Sequence, residues 1–161
     1  MSSPHDSLTR VRNSLLSTYR RWLLPAGLAL ACIWAARQTG VLAISSSAVD
    51  AVAGPAVFIA AIASALALPL LHRGHFVHRV QGLKGVPAEE LLGFERTQLR
   101  LVLLSWYAAA IGYHLDVSVF HFGGAFLAAL YGAYFYYPTR RRVSRELVIF
   151  RASVGQTQGQ P

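Results

Sequence analysis

The sequence predicts an all-α integral membrane protein with four transmembrane helices, arranged as two hairpins, and an N-terminal amphipathic helix at the membrane surface. Three observations lead to this fold class. Hydrophobic residues make up 54% of the 161-residue chain and charged residues only 14%, whereas about a quarter of the residues of a soluble domain are charged. The hydrophobic residues fall into four runs rather than alternating with polar ones. Almost all basic residues lie between the runs or at the chain ends, as in multi-pass membrane proteins.

Residues 1–21 form a basic segment with a helical hydrophobic pattern. Leu8, Val11, Leu15 and Tyr19 recur in steps of three and four, the spacing of one helix face, and arginines supply the opposite face. A basic amphipathic helix of this kind lies flat on an anionic membrane surface. We therefore expect an interfacial helix on the cytosolic leaflet, and a docking helix for a partner protein is the alternative.

The first predicted hairpin consists of spans 22–44 and 51–71. Arg37 interrupts the first run, so its uncharged part covers only about 22 Å at 1.5 Å per residue, less than the roughly 30 Å of a hydrocarbon core. The long side chains of Arg21 and Arg37 can reach the headgroups and close this gap. Asp50 and Asp116 are the acids expected on the same side of the membrane as Arg37. We therefore expect Arg37 to form an ion pair with one of these two acids at the membrane. The second run, 51–71, contains no charged residue.

The second predicted hairpin follows a cytosolic loop, 72–96, and consists of spans 97–115 and 117–138. Within the loop, Pro87 followed by Glu89 and Glu90 predicts a helix start, because proline suits the first turn and acids are favoured near the N-terminal end of the helix dipole. This helix is expected to continue into the third span. Residues 139–161 form a basic cytosolic tail that we expect to be disordered at its end. Its apolar stretch, 147–150, predicts a membrane-surface contact or a strand added to a partner.

Two of the predicted spans carry small residues at every fourth position. These residues are Ala56, Ala60 and Ser64 in the second span, and Gly124, Ala128 and Gly132 in the fourth. Small side chains on one helix face let a neighbouring backbone approach closely. Both stripes therefore predict helix packing, within the chain or with a partner.

The distribution of basic residues predicts the orientation. With the N-terminus, residues 72–100 and the tail in the cytosol, 14 of the 15 Lys and Arg residues are cytosolic, and Arg37 is the exception. This bias follows the positive-inside rule and favours the inner membrane of a bacterial cell. The net charge of +8 then indicates contact with anionic lipid headgroups. Nucleic acid is not an expected partner, because the polar segments are too short to fold into a soluble reader domain.

Histidines are the only candidates for a cofactor or metal site. His114 and His121 flank Asp116 on the two arms of the second hairpin, and two imidazoles with a carboxylate suit a divalent metal, while two facing imidazoles suit haem iron. A second group is spaced by three residues in the loop and consists of His72, His75 and His78. The alternative for both groups is an ordinary interfacial role, with the rings bound to headgroups or water. No cofactor is favoured over this alternative.

The residue pattern argues against most enzyme classes. Cys32 is the only cysteine, so one chain holds no paired-thiol redox centre. The sequence lacks a glycine-rich phosphate loop, a serine elbow and a metal-protease helix. We therefore expect a non-enzymatic accessory or assembly subunit of a larger membrane complex, in contact with other membrane subunits or with further copies of itself. A small transporter or channel subunit, and a redox component that binds haem, a metal or a quinone, stay open as alternatives.

Overall fold

The computed structural model describes residues 4–40, 47–82 and 85–149, and every regular element in these ranges is a helix. The predicted all-α class is therefore confirmed. In chain order the elements are α1 (Pro4–Gln38), α2 (Ser47–Ile62), a π-helical turn (Ala63–Ala67), α3 (Leu68–Val80), α4 (Ala88–His114), α5 (Val119–Phe135) and α6 (Arg140–Ile149).

Helix α4 is the centre of the bundle and contacts α1, α2, α3 and α5. It begins directly after Pro87, with Glu89 and Glu90 in its first turn, and continues without a break to His114, which confirms the predicted helix start. Contacts between helices show that neighbours along the chain alternate in direction. Val57 of α2 lies beside Gly112, close to the C-terminal end of α4. Pro69 follows Val57 in the chain and accepts a hydrogen bond from Gln98, which lies nearer the N-terminal end of α4. The helices therefore run up, down, up and down.

Helix α1 differs from the prediction, because the basic segment 1–21 does not form a separate helix. From Pro4 to Gln38 the chain is one helix, about 52 Å long at 1.5 Å per residue. The apolar face read from the sequence packs against protein, since Leu15 is buried in a cluster with Leu99 and Tyr136. This burial aligns the N-terminal half of α1 with the first predicted span. The segment therefore continues directly into the first predicted span and packs against the bundle, rather than forming a separate helix.

The second predicted span lies in a helical stretch that continues past its predicted end. Residues 72–80, expected as loop, extend α3 to Val80 even though Gly74 weakens the helix. Burial of Phe76 against Phe94, with ring centroids 4.1 Å apart, stabilises this extension. Pro69 has no backbone N–H to donate to the carbonyl four residues earlier. The preceding π-helical turn accommodates this gap without a break in the helix.

Length and apolar composition identify one candidate membrane span in the described residues, Ala51–Val80. A second candidate arises if α5 and α6, which meet at 73°, are counted together. Helix α4 contains a hydrophobic run, but Arg96 and Arg100 precede it closely. Helix α5 is apolar throughout but has only 17 residues.

Helix α6 follows a break at Pro138 and turns away from α5. The hydroxyl of Thr139 accepts a hydrogen bond from the backbone N–H of Arg142 and caps the new helix. Val143 and Glu146 of α6 are buried against the bundle, whereas Val148 and Ile149 are exposed. The alternative prediction of a strand is wrong for residues 147–149, which are helical. Residues 150–161, including the predicted disordered end of the tail, lie outside the described residues.

The two stripes of small residues differ in their surroundings. A Cβ atom added to Gly132 would lie 2.7 Å from Cγ1 of Val102 on α4, and one added to Gly124 would overlap the ring of Phe58 on α2. In the second span, Ser64 is buried but Ala56 and Ala60 are exposed. The helix face that packs within the chain is shifted by one residue and contains Val57, Ala61 and Ala65. Val57 packs against Gly112 of α4, and on the predicted stripe of this span only Ala56 and Ala60 face outwards.

Candidate functional site

Four charged side chains from three helices meet at one end of the bundle. Arg73 of α3 donates two hydrogen bonds to the carboxylate of Glu146 on α6, at 3.0 and 3.3 Å. Arg142 of α6 lies 3.4 Å from an oxygen of Glu95 on α4. We call these four residues the charged end. The two pairs hold α6 across the ends of α3 and α4, so the position of this terminal helix depends on ionic contacts as well as on Val143.

Both carboxylates of the charged end are buried. Glu95 has only 7% of its surface exposed, and so does Glu146. Burial raises the pKa of Glu95, and the nearby Glu146 carboxylate acts in the same direction, whereas Arg142 and Arg73 oppose the rise. One oxygen of Glu95, Oε1, has no hydrogen-bond partner in the described part of the chain. A small, mainly apolar cavity of about 20 Å³ is lined by both residues together with Val11, Leu15 and Val143.

A larger groove of about 890 Å³ runs from the charged end along α1, α5 and α6. Leu23, Trp106 and Leu130 form apolar walls, and Arg141 and Arg145 line the basic part. Tyr19 connects α1 to α5 within the groove, since its hydroxyl donates a hydrogen bond to the carbonyl of Ala133 at 3.3 Å. The groove is amphipathic, with no arrangement of a nucleophile and a base among its described lining residues.

The opposite end of the bundle contains the predicted membrane ion pair. Arg37 Nη2 lies 2.6 Å from Asp116 Oδ1, and the guanidinium also lies over the ring of Tyr113, 4.6 Å from its centroid. Asp116 sits in the tight α4–α5 turn with a positive φ of 55°, a conformation that Asp and Asn tolerate better than other non-glycine residues. The side chain of Asp50 lies outside the described residues, so its part in the predicted pairing stays a prediction.

The histidines that the structure describes do not form a cluster with other metal-ligating side chains. His121 shares a hydrogen bond of 2.7 Å between its Nδ1 and the hydroxyl of Ser118, and Asp116 is engaged by Arg37. His72 stacks on Phe94 with ring centroids 5.0 Å apart, and burial lowers its pKa, while His75 and His78 are exposed. Within the described ranges, no group of three or more His, Cys, Asp or Glu residues could hold a metal ion. Binding by His114 and His121 stays a prediction.

The sequence reading did not identify the charged end as a site, because its ion pairs join residues 73 and 47 positions apart. A usable signal was the spacing of Val143 and Glu146 after Pro138 and Thr139, which indicates a short capped helix with an acid on its apolar face. The arrangement fixes the ends of α3, α4 and α6 relative to one another and leaves Arg141 and Arg145 exposed. Comparison with protein-family models, with curated proteins and with solved structures finds no match for this chain.

Proposed function

We propose that this chain is a multi-pass inner-membrane protein with four spans and with both termini in the cytosol. The alternating directions of α1, α2, α4 and α5 support this topology, because they bring the N-terminal segment, the central loop and α6 to the same end of the bundle. That end carries 12 of the 13 Lys and Arg residues in the part of the chain that the structure describes. The 73° angle between α5 and α6 further supports an interfacial position for α6, since a helix at this angle to a span lies close to the membrane plane.

Within this membrane setting we propose a non-enzymatic accessory or assembly subunit of a larger complex. This proposal depends on one observation, namely that the buried charged side chains connect helices to one another. Glu95 and Glu146 each pair with an arginine from another helix, and Gln98 Nε2 donates to the carbonyl of Pro69 on α3. Polar groups on a transport path have to change partners as the substrate passes. In this chain they connect helices, as expected for a bundle that keeps one shape and presents its surface to partners.

The exposed stripe of Ala56 and Ala60 is the surface that we assign to a partner helix. Both residues lie on α2, inside the candidate membrane span Ala51–Val80, and both are exposed in the described bundle. A second transmembrane helix can approach a face of small side chains closely and gain dispersion contacts along its length.

Purification of the tagged chain in mild detergent, with identification of the copurifying subunits, tests the proposal. We expect stoichiometric membrane partners that are lost in the double variant Ala56→Leu, Ala60→Leu. Ala31→Leu combined with Ala35→Leu is the matched control, because these two alanines are also exposed and four residues apart, on α1. Partners should copurify with this control.

Other results would favour the alternatives. A chain that purifies without partners and mediates ion flux in vesicles would support a channel or transporter. An absorption band of haem or a stoichiometric metal that disappears in both His114→Ala and His121→Ala, and persists in His75→Ala, would support a redox component.

A further inference from the structure

A second basic cleft lies between α1 and α4, beside the predicted inner ends of the first and third spans. It has a volume of about 550 Å³ and is lined by Ser17, Thr18, Arg21, Trp22, Arg96, Arg100 and Tyr107. None of these described lining residues is acidic. The cleft therefore brings three guanidinium groups together with hydroxyl groups in one open cavity.

The three arginines have no counter-ion in the described part of the chain, where the ion pairs involve other arginines. Arg96 donates a hydrogen bond to the hydroxyl of Ser14, which directs its guanidinium towards α1. Arg96 and Arg100 lie one turn apart on α4, a spacing at which like charges repel. Arg21 adds a third positive charge from the facing helix. An anion bound between the helices would remove this repulsion.

We propose that this cleft binds the phosphate of an anionic phospholipid from the inner leaflet. Guanidinium groups form paired hydrogen bonds with phosphate oxygens, and three of them line this cleft. Trp22 and Tyr107 form the part of the cleft that faces the predicted span, and their rings suit the boundary between headgroups and acyl chains. The groove at the charged end fits this ligand less well, because Glu146 lies among its arginines.

This inference rests on the proposed topology, which places the cleft at the depth of the headgroups. Carbonate extraction tests membrane integration separately, since an integral chain stays in the membrane pellet, and reporter fusions test the topology. Lipid binding is then measured by native mass spectrometry of the full chain, released from vesicles that contain phosphatidylcholine and phosphatidylglycerol in equal amounts. We expect the wild-type chain to retain phosphatidylglycerol in preference to phosphatidylcholine.

The double variant Arg96→Gln, Arg100→Gln should lower the retained phosphatidylglycerol by roughly tenfold or more, since each arginine near a membrane surface contributes substantially to the binding of anionic lipid. Arg140→Gln combined with Arg141→Gln is the matched control, because both residues are exposed arginines outside the cleft. Its retention should equal that of the wild type. Equal loss in both double variants would overturn the proposal, and so would equal retention of the two lipids by the wild type.

Two further measurements separate the ligand sources and guard against misfolding. Millimolar inorganic phosphate should not displace the retained lipid, and complete displacement would assign the cleft to a free anion instead. Phosphatidylglycerol should raise the thermal midpoint of the wild-type chain in detergent more than phosphatidylcholine does. This comparison requires no variant, and equal midpoints would contradict a specific headgroup site.

Discussion

The guanidinium of Arg73 on α3 and the carboxylate of Glu146 on α6 form a two-bond pair, with donor–acceptor distances of 3.0 and 3.3 Å. The Glu146 side chain is only 9% exposed, so its charge depends on this partner. Removal of one member of a buried pair leaves the other charge without compensation, which costs far more than the loss of a solvated pair. The pair therefore makes the packing of α6 on the bundle conditional on Arg73.

A double-mutant cycle on Arg73 and Glu146 should reveal this dependence. We expect Arg73→Leu alone to destabilise the chain, because it leaves a buried carboxylate unpaired, and Arg73→Leu with Glu146→Leu to recover part of the loss. The coupling free energy should be about 1–3 kcal/mol. Thermal unfolding in detergent measures it.

Arg79 and Glu90 provide the matched control for this cycle. They also form an ion pair between two helices, at 2.9 Å, but their side chains are 59% and 38% exposed. Exposed pairs contribute less than about 1 kcal/mol. Equal coupling energies for the two pairs would mean that burial of Glu146 has no special effect.

The sequence predicted the parts of the fold that depend on local signals. The uncharged run 51–71 lies in a helix, and Pro87 with two following acids marks the start of α4. The relation of the N-terminal segment to the bundle was predicted incorrectly. The sequence predicted its apolar face, which includes Leu15. The residue pattern of such a face is the same whether the face contacts lipid or protein. Its actual neighbour, Leu99, lies 84 positions away in the sequence, and periodicity contains no information about such a partner.

The charged end illustrates the same limit for a site. The arginine clusters were interpreted as contacts with lipid headgroups. Arg140 and Arg141 are exposed, and their contact with headgroups stays a prediction. Arg142 instead lies over the ring of Tyr136 and contacts Glu95. Which of three consecutive arginines turns inwards depends on the direction of α6, and only the bend after Pro138 decides that direction.

Glu95 should make stability depend on pH. Burial raises its folded-state pKa, so the protonated form is favoured in the folded chain. Its contribution to stability is fully present below the ordinary pKa of glutamate and is lost as pH rises through the raised value. We expect Glu95→Gln to remove this loss, so that the variant gains stability relative to the wild type over the pH range above the ordinary pKa of glutamate. Thermal midpoints across this range test the sign. A wild type that gains stability relative to the variant as pH rises would show that Arg142 outweighs burial.

Gly132 and Gly123 offer a matched test of helix packing in α5. A methyl group at Gly132 meets Val102 Cγ1 at 2.7 Å, whereas one at Gly123 meets nothing within 4 Å. We expect Gly132→Ala to destabilise the chain by about 1–3 kcal/mol through overpacking. Gly123→Ala should be neutral or slightly stabilising, since alanine favours helix over glycine. Similar unfolding midpoints for the two variants would show that α5 can shift away from α4 at little cost.

Reporter fusions test the proposed topology directly. Alkaline phosphatase is active only outside the cytosol, so we expect activity for a fusion after Ser46, between the first and second spans, and none for a fusion after Pro161. A green fluorescent protein fusion should show the opposite pattern. An active phosphatase fusion after Pro161, or an inactive one after Ser46, would be incompatible with four spans and cytosolic termini.

Arg37 and Asp116 should respond unequally to the loss of their partner. The side chain of Arg37 is 22% exposed and that of Asp116 is 43% exposed. Water therefore solvates an unpaired Asp116 carboxylate more fully than an unpaired Arg37 guanidinium. Asn tolerates the positive φ of position 116 as Asp does, and Asp116→Asn therefore removes the charge without adding backbone strain. We expect Asp116→Asn to lower the thermal midpoint more than Arg37→Gln does. Adding Arg37→Gln to Asp116→Asn should restore part of the loss. If Arg37→Gln is instead the more damaging single change, the contact of Arg37 with the Tyr113 ring, at 4.6 Å, stabilises this end more than the ion pair does.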